Sequence, residues 1–212
     1  MLQLFAPCDL ETGDKFLTSP VSGNTYRLRG GAKLDIATRA ALWLDGVRRW
    51  RDVTLDPLEG ASEYAAVTPL PQVLSDSHSH ALGKIWSCAA LAEGSVPLHR
   101  LAGRIGCSRS PPGNVLRREA LHLAHALRTK TSRNCLPHSF WQAGLLRYFG
   151  VPSTLYVGVW MPTTEAHAWV MAASPDDPSK LCVLGDSIDR VALYAPTMRF
   201  EFGDPFESPC EG

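Results

Sequence analysis

At 212 residues the chain is long enough to bury a sizeable core, as one large domain or two small ones. Its 21 basic side chains balance 21 acidic ones, so no net field draws it to nucleic acid or to an anionic membrane, and a specific partner or substrate is the better expectation. The opening MLQLFAPCDLETGDKF lacks the basic-then-apolar order of a signal peptide and no apolar run reaches a bilayer span, which points to the cytoplasm.

Taken in chain order, LQLF, KFLTSP and TYRLRGG read as two or three short antiparallel strands joined by Gly/Asn/Asp turns. AKLDIATRAALWLDGVRRW then changes period: Leu34, Ile36, Ala37, Ala40, Ala41, Leu44 and Val47 fall mostly on one helical stripe. Residues 51–80 carry several prolines and small polar residues with no sustained period, and read as a linker with room for one short helix and with SHSH (77–80) flexible. From Ala81 a helix, a Gly/Pro break and a short second helix follow; after CSRSPPGN comes a third, VLRREALHLAHALRTK, with Asn114 placed to cap it. CLPHSFWQAGLLRYFG reads as an amphipathic helix ended by Gly150, and STLYVGVWM, EAHAWVMAA and KLCVLGD as three strands behind it. A helix opened by cysteine and packed on a small antiparallel sheet is an α+β arrangement.

The six cysteines, Cys8, Cys88, Cys107, Cys135, Cys182 and Cys210, are scattered through a chain far longer than a disulfide-stapled scaffold, and no CxxC or CxxH pair offers a zinc spacing. Cys135 is then a small buried hydrophobe or a nucleophile. For the second role it stands where helix N-terminal N–H groups favour a thiolate. His167 in EAHAWV shares a strand face with Glu165 and Trp169, and Asp186 in VLGDS ends the next strand, where a carboxylate would fix the tautomer of the imidazole. Taken singly, each residue fits a packing, structural or turn role. Cys, then His on a strand, then Asp on the following strand is the order of papain-like and transglutaminase-like cores.

Residues 133–194 resemble the leader peptidases of lasso peptide biosynthesis, the transglutaminase-like cysteine proteases called B proteins, in NCLPHSFWQAGLLRYFGVPSTLYVGV, EAHAWV and VLGDS. The resemblance implies Cys135 as nucleophile, His167 as general base and acid, and Asp186 as the orienting carboxylate. One departure is the longer ASPDDPSK turn between the His and Asp strands, which makes Asp176, Asp177 and Asp189 rivals for the third role. The family also implies a PqqD-like leader-recognition module of small sheet and helix over residues 1–55, a linker over 56–80 and the peptidase over 81–212. The implied partners are the lasso precursor, through its leader, and an asparagine-synthetase-like cyclase to which any ATP dependence would belong. No cofactor or metal of its own is implied. A non-catalytic leader-binding chaperone and an acyltransferase using the same triad are the alternatives, and for residues 1–55 a structural extension that shields the core.

Other features have plainer readings. His122 and His125, one helical turn apart, read as helix-surface histidines rather than metal ligands. Trp169 either shields the Cys–His pair from water or simply packs the core, and Arg133 stands next to the candidate nucleophile.

Overall fold

The fold was examined in a computed structural model, which describes residues 1–30, 35–47, 49–65, 76–93, 96–106, 117–128 and 135–203. Its centre is a six-stranded sheet in the order β1 (Leu2–Leu4), β8 (Ala195–Phe202), β5 (Ser153–Trp160), β6 (Glu165–Ala173), β7 (Leu181–Leu184), β4 (Ser62–Glu63). All its pairings are antiparallel except β4 with β7. The remaining strands, β2 (Lys15–Thr18) and β3 (Thr25–Leu28), form a separate antiparallel hairpin. This is the expected α+β class.

Along β6, alternation sends Ala168, Val170 and Ala172 into the larger core, while Trp169 and Met171 enter a smaller cluster on the other face with Tyr156, Val183, Val191 and Tyr194. The helix α5 (Cys135–Tyr148) packs against β5 and β6, with α2 (Asp76–Ala90), α3 (Leu98–Gly106) and α4 (Arg117–Arg128) around it. Pro137 sits in the first turn of α5, where a missing N–H costs no intrahelical bond.

The expectation that α5 is amphipathic is corrected: every residue from Pro137 to Tyr148 is buried, so the helix is the core of the layer rather than its cover. Gly144 explains how neighbours come so close. A Cβ there would lie 2.5 Å from Ile85 of α2 and 2.9 Å from Ile105 of α3. The end of α5 is as expected. Gly150, at φ 71°, donates to Arg147 O and Val151 donates to Leu146 O, the two bonds of a Schellman cap.

The same cap shortens α1 (Ile36–Leu44). Gly46 at φ 80° donates to Trp43 O and Val47 to Leu42 O, so the helix stops before Val47; within it Leu42 is the residue that meets the core while Leu44 is 74% exposed. The stripe read through Ala37, Ala40, Ala41 and Leu44 is therefore on the exposed side, and Leu34 lies outside the described residues. The SHSH segment is not a flexible stretch but the first turns of α2, which starts at Asp76 rather than Ala81. His78 packs against Tyr148 and Phe149. The Asn114 cap lies outside the described residues.

The first and fourth strands both join the central sheet. β1, from the segment read as the N-terminal module, hydrogen-bonds to β8, and β4, from the segment read as a linker, runs along β7. Thr18 of the hairpin meets Thr197 of β8 through their hydroxyls at 2.6 Å, and Thr197 donates on to Val157 O. Residues from both halves thus share one hydrophobic core, with Leu4, Leu17 and Leu42 beside Phe140 and Leu155.

Candidate active site

Cys135 is the first residue of α5 and half-buried. One helical turn later, the buried Ser139 hydroxyl donates to Ala168 O at 2.9 Å, fastening the start of α5 to the strand residue that follows His167. That bond links the two halves of the candidate site, and Ser139 belongs to the CLPHS motif without having been given a role.

His167 faces Gly158 across the β5–β6 hairpin. On its other side β7 has already ended: the last β6–β7 pair is Val170 with Leu184, so the chain leaving β7 turns through Gly185 and Asp186 alongside the part of β6 that precedes Val170. There His167 Nε2 meets Asp186 Oδ2 at 2.7 Å, both side chains no more than 5% exposed. A carboxylate only accepts, so Nε2 carries the hydrogen and the ring orientation is fixed. Asp186 Oδ1 accepts from the Ser187 N–H at 3.1 Å and has the half-exposed Arg190 guanidinium at 3.8 Å.

The lengthened turn does not keep Asp186 from the histidine. It forms a closed loop in which Ser174 N–H donates to Lys180 O, while β6 and β7 stay in register on either side. The rivals go elsewhere: Asp176 pairs with Arg118, Asp177 accepts from Ser179 within the turn, and Asp189 lies in the first turn of α6 (Ile188–Val191).

Aromatic rings cover the imidazole. Trp169 stacks on His167 at 6.2 Å and 16° and on Tyr156 at 5.5 Å and 17°. Tyr194 lies 4.8 Å from His167 and donates to Glu165 Oε1 at 3.2 Å. Trp169 therefore both packs a core cluster and walls the histidine from water. Burial and the Glu165 carboxylate push the Tyr194 phenol up, keeping it a neutral donor. Gly158 makes room for this stack, since a Cβ there would fall 2.9 Å from the Trp169 ring.

The reading of His122 and His125 as surface histidines is corrected. His122 is buried and His125 half-buried, its Nδ1 accepting from the Gly185 N–H at 3.1 Å. Burial and the nearby His122 hold the His125 pKa below its ordinary value, against a smaller opposing effect of Glu63. Among the described residues no group of three His, Cys, Asp or Glu side chains is placed to hold a metal ion. Arg133 lies outside the described residues, as do Cys107 and Cys210. Cys8, Cys88, Cys135 and Cys182 are in no disulfide, and burial raises the thiol pKa of Cys88, and that of Cys182 to about 11. No helix among the described residues is long and apolar enough to cross a membrane.

Sequence reasoning missed Ser139, His125, Gln142 and Tyr194 around this pair. Only Ser139 had a local signal, its place in a motif. The other contacts depend on which helix lies over which strand end. No curated protein and no solved structure matches the chain. A family model described as the transglutaminase-like superfamily matches residues 91–198, half of the chain, and spans α5, β6 and the Asp186 turn. With the helix, strand and strand-end order of its candidate site inside that match, the chain belongs to the transglutaminase-like superfamily.

Proposed function

We propose that the protein is a cysteine endopeptidase that removes the leader from a ribosomally made lasso precursor before an ATP-using, asparagine-synthetase-like cyclase closes the macrolactam. The observation that carries this reading is the buried His167–Asp186 pair at 2.7 Å, on the strand to which Ser139 fastens the helix that Cys135 opens. The sequences CLPHS, EAHAWV and LGDS resemble those of the lasso leader peptidases at the same elements.

In this reaction the Cys135 sulfur attacks the scissile carbonyl carbon. Asp186 holds Nε2 of His167, so Nδ1 takes the thiol proton and returns it to the departing amine. Water then cleaves the thioester, releasing the leader as a carboxylic acid and regenerating the thiol. The released core amine is the group the cyclase joins to a side-chain carboxylate.

On this reading residues 1–55 recognise the leader while lending β1 to the peptidase sheet, residues 56–80 connect and contribute β4 and the first turn of α2, and 81–212 carry the rest of the peptidase. β3 pairs with β2 alone among the described strands, so its outer edge accepts a leader segment as an added strand. Protein, precursor, cyclase and ATP are incubated together and the peptide followed by mass spectrometry. Wild type releases the leader; Cys135→Ala binds the leader but releases none, and cleavage by that variant at the wild-type rate would sink the mechanism. A leader-binding chaperone without activity would instead leave Cys135 no more reactive toward iodoacetamide than the half-buried Cys88 and the buried Cys182. Acyl transfer would appear in the same assay as an amide of the leader.

A further inference from the structure

The turn that carries Asp186 has no regular structure of its own, yet it is held from several sides. Gln142 of α5, 1% exposed, donates its amide hydrogens to Ala124 O of α4 at 2.9 Å and to Leu184 O at the end of β7 at 3.3 Å. The Gly185 N–H donates to His125 Nδ1 of α4 at 3.1 Å. Beyond Asp186, the Ile188 N–H donates to Glu63 Oε1 of β4 at 2.8 Å. The Tyr64 ring lies 5.3 Å from His125, and its hydroxyl donates to Arg118 O of the same helix.

A histidine accepts from a backbone N–H only through an unprotonated ring nitrogen, so His125 acts here in its neutral form. Its surroundings suit that form: half-buried, with His122 on its own helix, Tyr64 against its ring, and Glu63 the one carboxylate shown to influence it. The peptide bond whose nitrogen belongs to Asp186 begins at Gly185, so a shift there moves the carboxylate relative to His167. An error of about 1 Å in such a group can cost on the order of a hundredfold in rate.

We propose that His125 is a positioning residue of the active site: as a neutral acceptor for the Gly185 N–H, and together with Gln142, it anchors the β7 exit turn so that Asp186 meets His167. This rests on the reading of Cys135, His167 and Asp186 as a triad, and the test separates the two. Iodoacetamide labelling of Cys135 in the full chain is followed by peptide mass spectrometry at about pH 6, where only a thiolate stabilised by imidazolium reacts quickly. Asp186→Asn is expected to slow labelling strongly. His125→Leu, which cannot accept, is expected to slow it about tenfold or more. His125→Asn places an amide oxygen near the position of Nδ1 and is expected to restore most of the wild-type rate.

Slow labelling in D186N with wild-type labelling in a folded H125L overturns the inference and leaves the triad standing; so does H125N labelling as slowly as H125L. Equal labelling of wild type and D186N overturns the triad reading, and the inference with it. A measurement independent of any substitution is the nitrogen–nitrogen scalar coupling between Gly185 N and His125 Nδ1 in the ¹⁵N-labelled protein. A coupling is expected at neutral pH, and its absence overturns the proposal even if H125L does not fold.

Discussion

At the scale of single residues, the candidate site depends on side chains that hold His167 as much as on His167 itself. On the proposed function, Asp186→Asn should leave the fold intact and lower kcat/KM on a leader-bearing substrate by roughly 10² to 10⁴, the range expected when an orienting carboxylate is lost. The loss should fall mainly on kcat, which steady-state kinetics on the precursor reads directly. Gly158→Ala is the packing counterpart. Its Cβ would meet the Trp169 ring at 2.9 Å and Ala195 O at 3.0 Å, so the indole must shift and carry the His167 stack with it. Overpacking of this kind costs about 1–3 kcal/mol, measurable by urea unfolding, and the alanine variant should also be slower.

Helices and strands explain why the site is rigid. The Ser139 hydroxyl to Ala168 carbonyl bond tethers the first turns of α5 to β6. Ser139→Ala removes a buried hydrogen bond for a cost of about 1–3 kcal/mol, since the β6 carbonyl is left without that donor. Because the tether sits one turn from Cys135, that variant should lose more activity than stability alone explains at temperatures where it is fully folded, as activity and circular dichroism followed together will show. Gly144→Ala tests the other side of α5. Alanine gains about 1 kcal/mol of helix propensity, but the contacts at 2.5 Å and 2.9 Å with Ile85 and Ile105 force α2 and α3 outward, and net destabilisation is expected in urea unfolding.

For the molecule as a whole, stability should respond to acid in stages. His125 binds its proton less readily folded than unfolded, so the unfolded chain holds more protons as pH falls below 6.5. Its contribution is complete above that value and is lost on acidification toward the lowered native pKa. A second loss begins near the ordinary carboxylate value of 3.8, where the unfolded chain protonates first, and continues until the folded Asp14, held low by the Gly30 N–H and by Arg27, takes up its proton below that value, as do Asp35, Asp52 and Asp177. Thermal midpoints from about pH 8 to about pH 3 should fall through both windows, and H125N should flatten the first. The sheet makes a further demand on the whole chain. Since β1 pairs with β8 and Leu4, Leu17 and Leu42 share the core of α5, removing residues 1–50 should unfold the remainder rather than yield a stable domain, which circular dichroism will reveal.

Much of this molecule was legible before any coordinates. Alternation marked β5 to β7, the Gly150 cap ended α5, and Cys135, His167 and Asp186 stood out because helix starts and strand ends present side chains that local pattern can locate. The misreadings share a cause. The stripe drawn through α1 took the wrong face of the helix, since Leu42 rather than Leu44 meets the core, and it assumed a helix continuing to Val47, whereas the cap at Gly46 ended it at Leu44. The surface reading of His122 and His125 assumed that polar residues face water, which holds only until another layer covers them. By itself the sequence determined most of the elements and their order, though not β4, α6 or the central strand β8, and the three candidate chemical groups, because those follow from local periodicity and residue chemistry. Tertiary structure alone decided that Asp186 rather than Asp176, Asp177 or Asp189 meets His167, that α5 is buried on every side, and that His125 and Gln142 grip the turn between them. Those outcomes depend on which strand ends first and which helix lies over its end, and contacts between residues far apart in the chain leave no periodic trace in it.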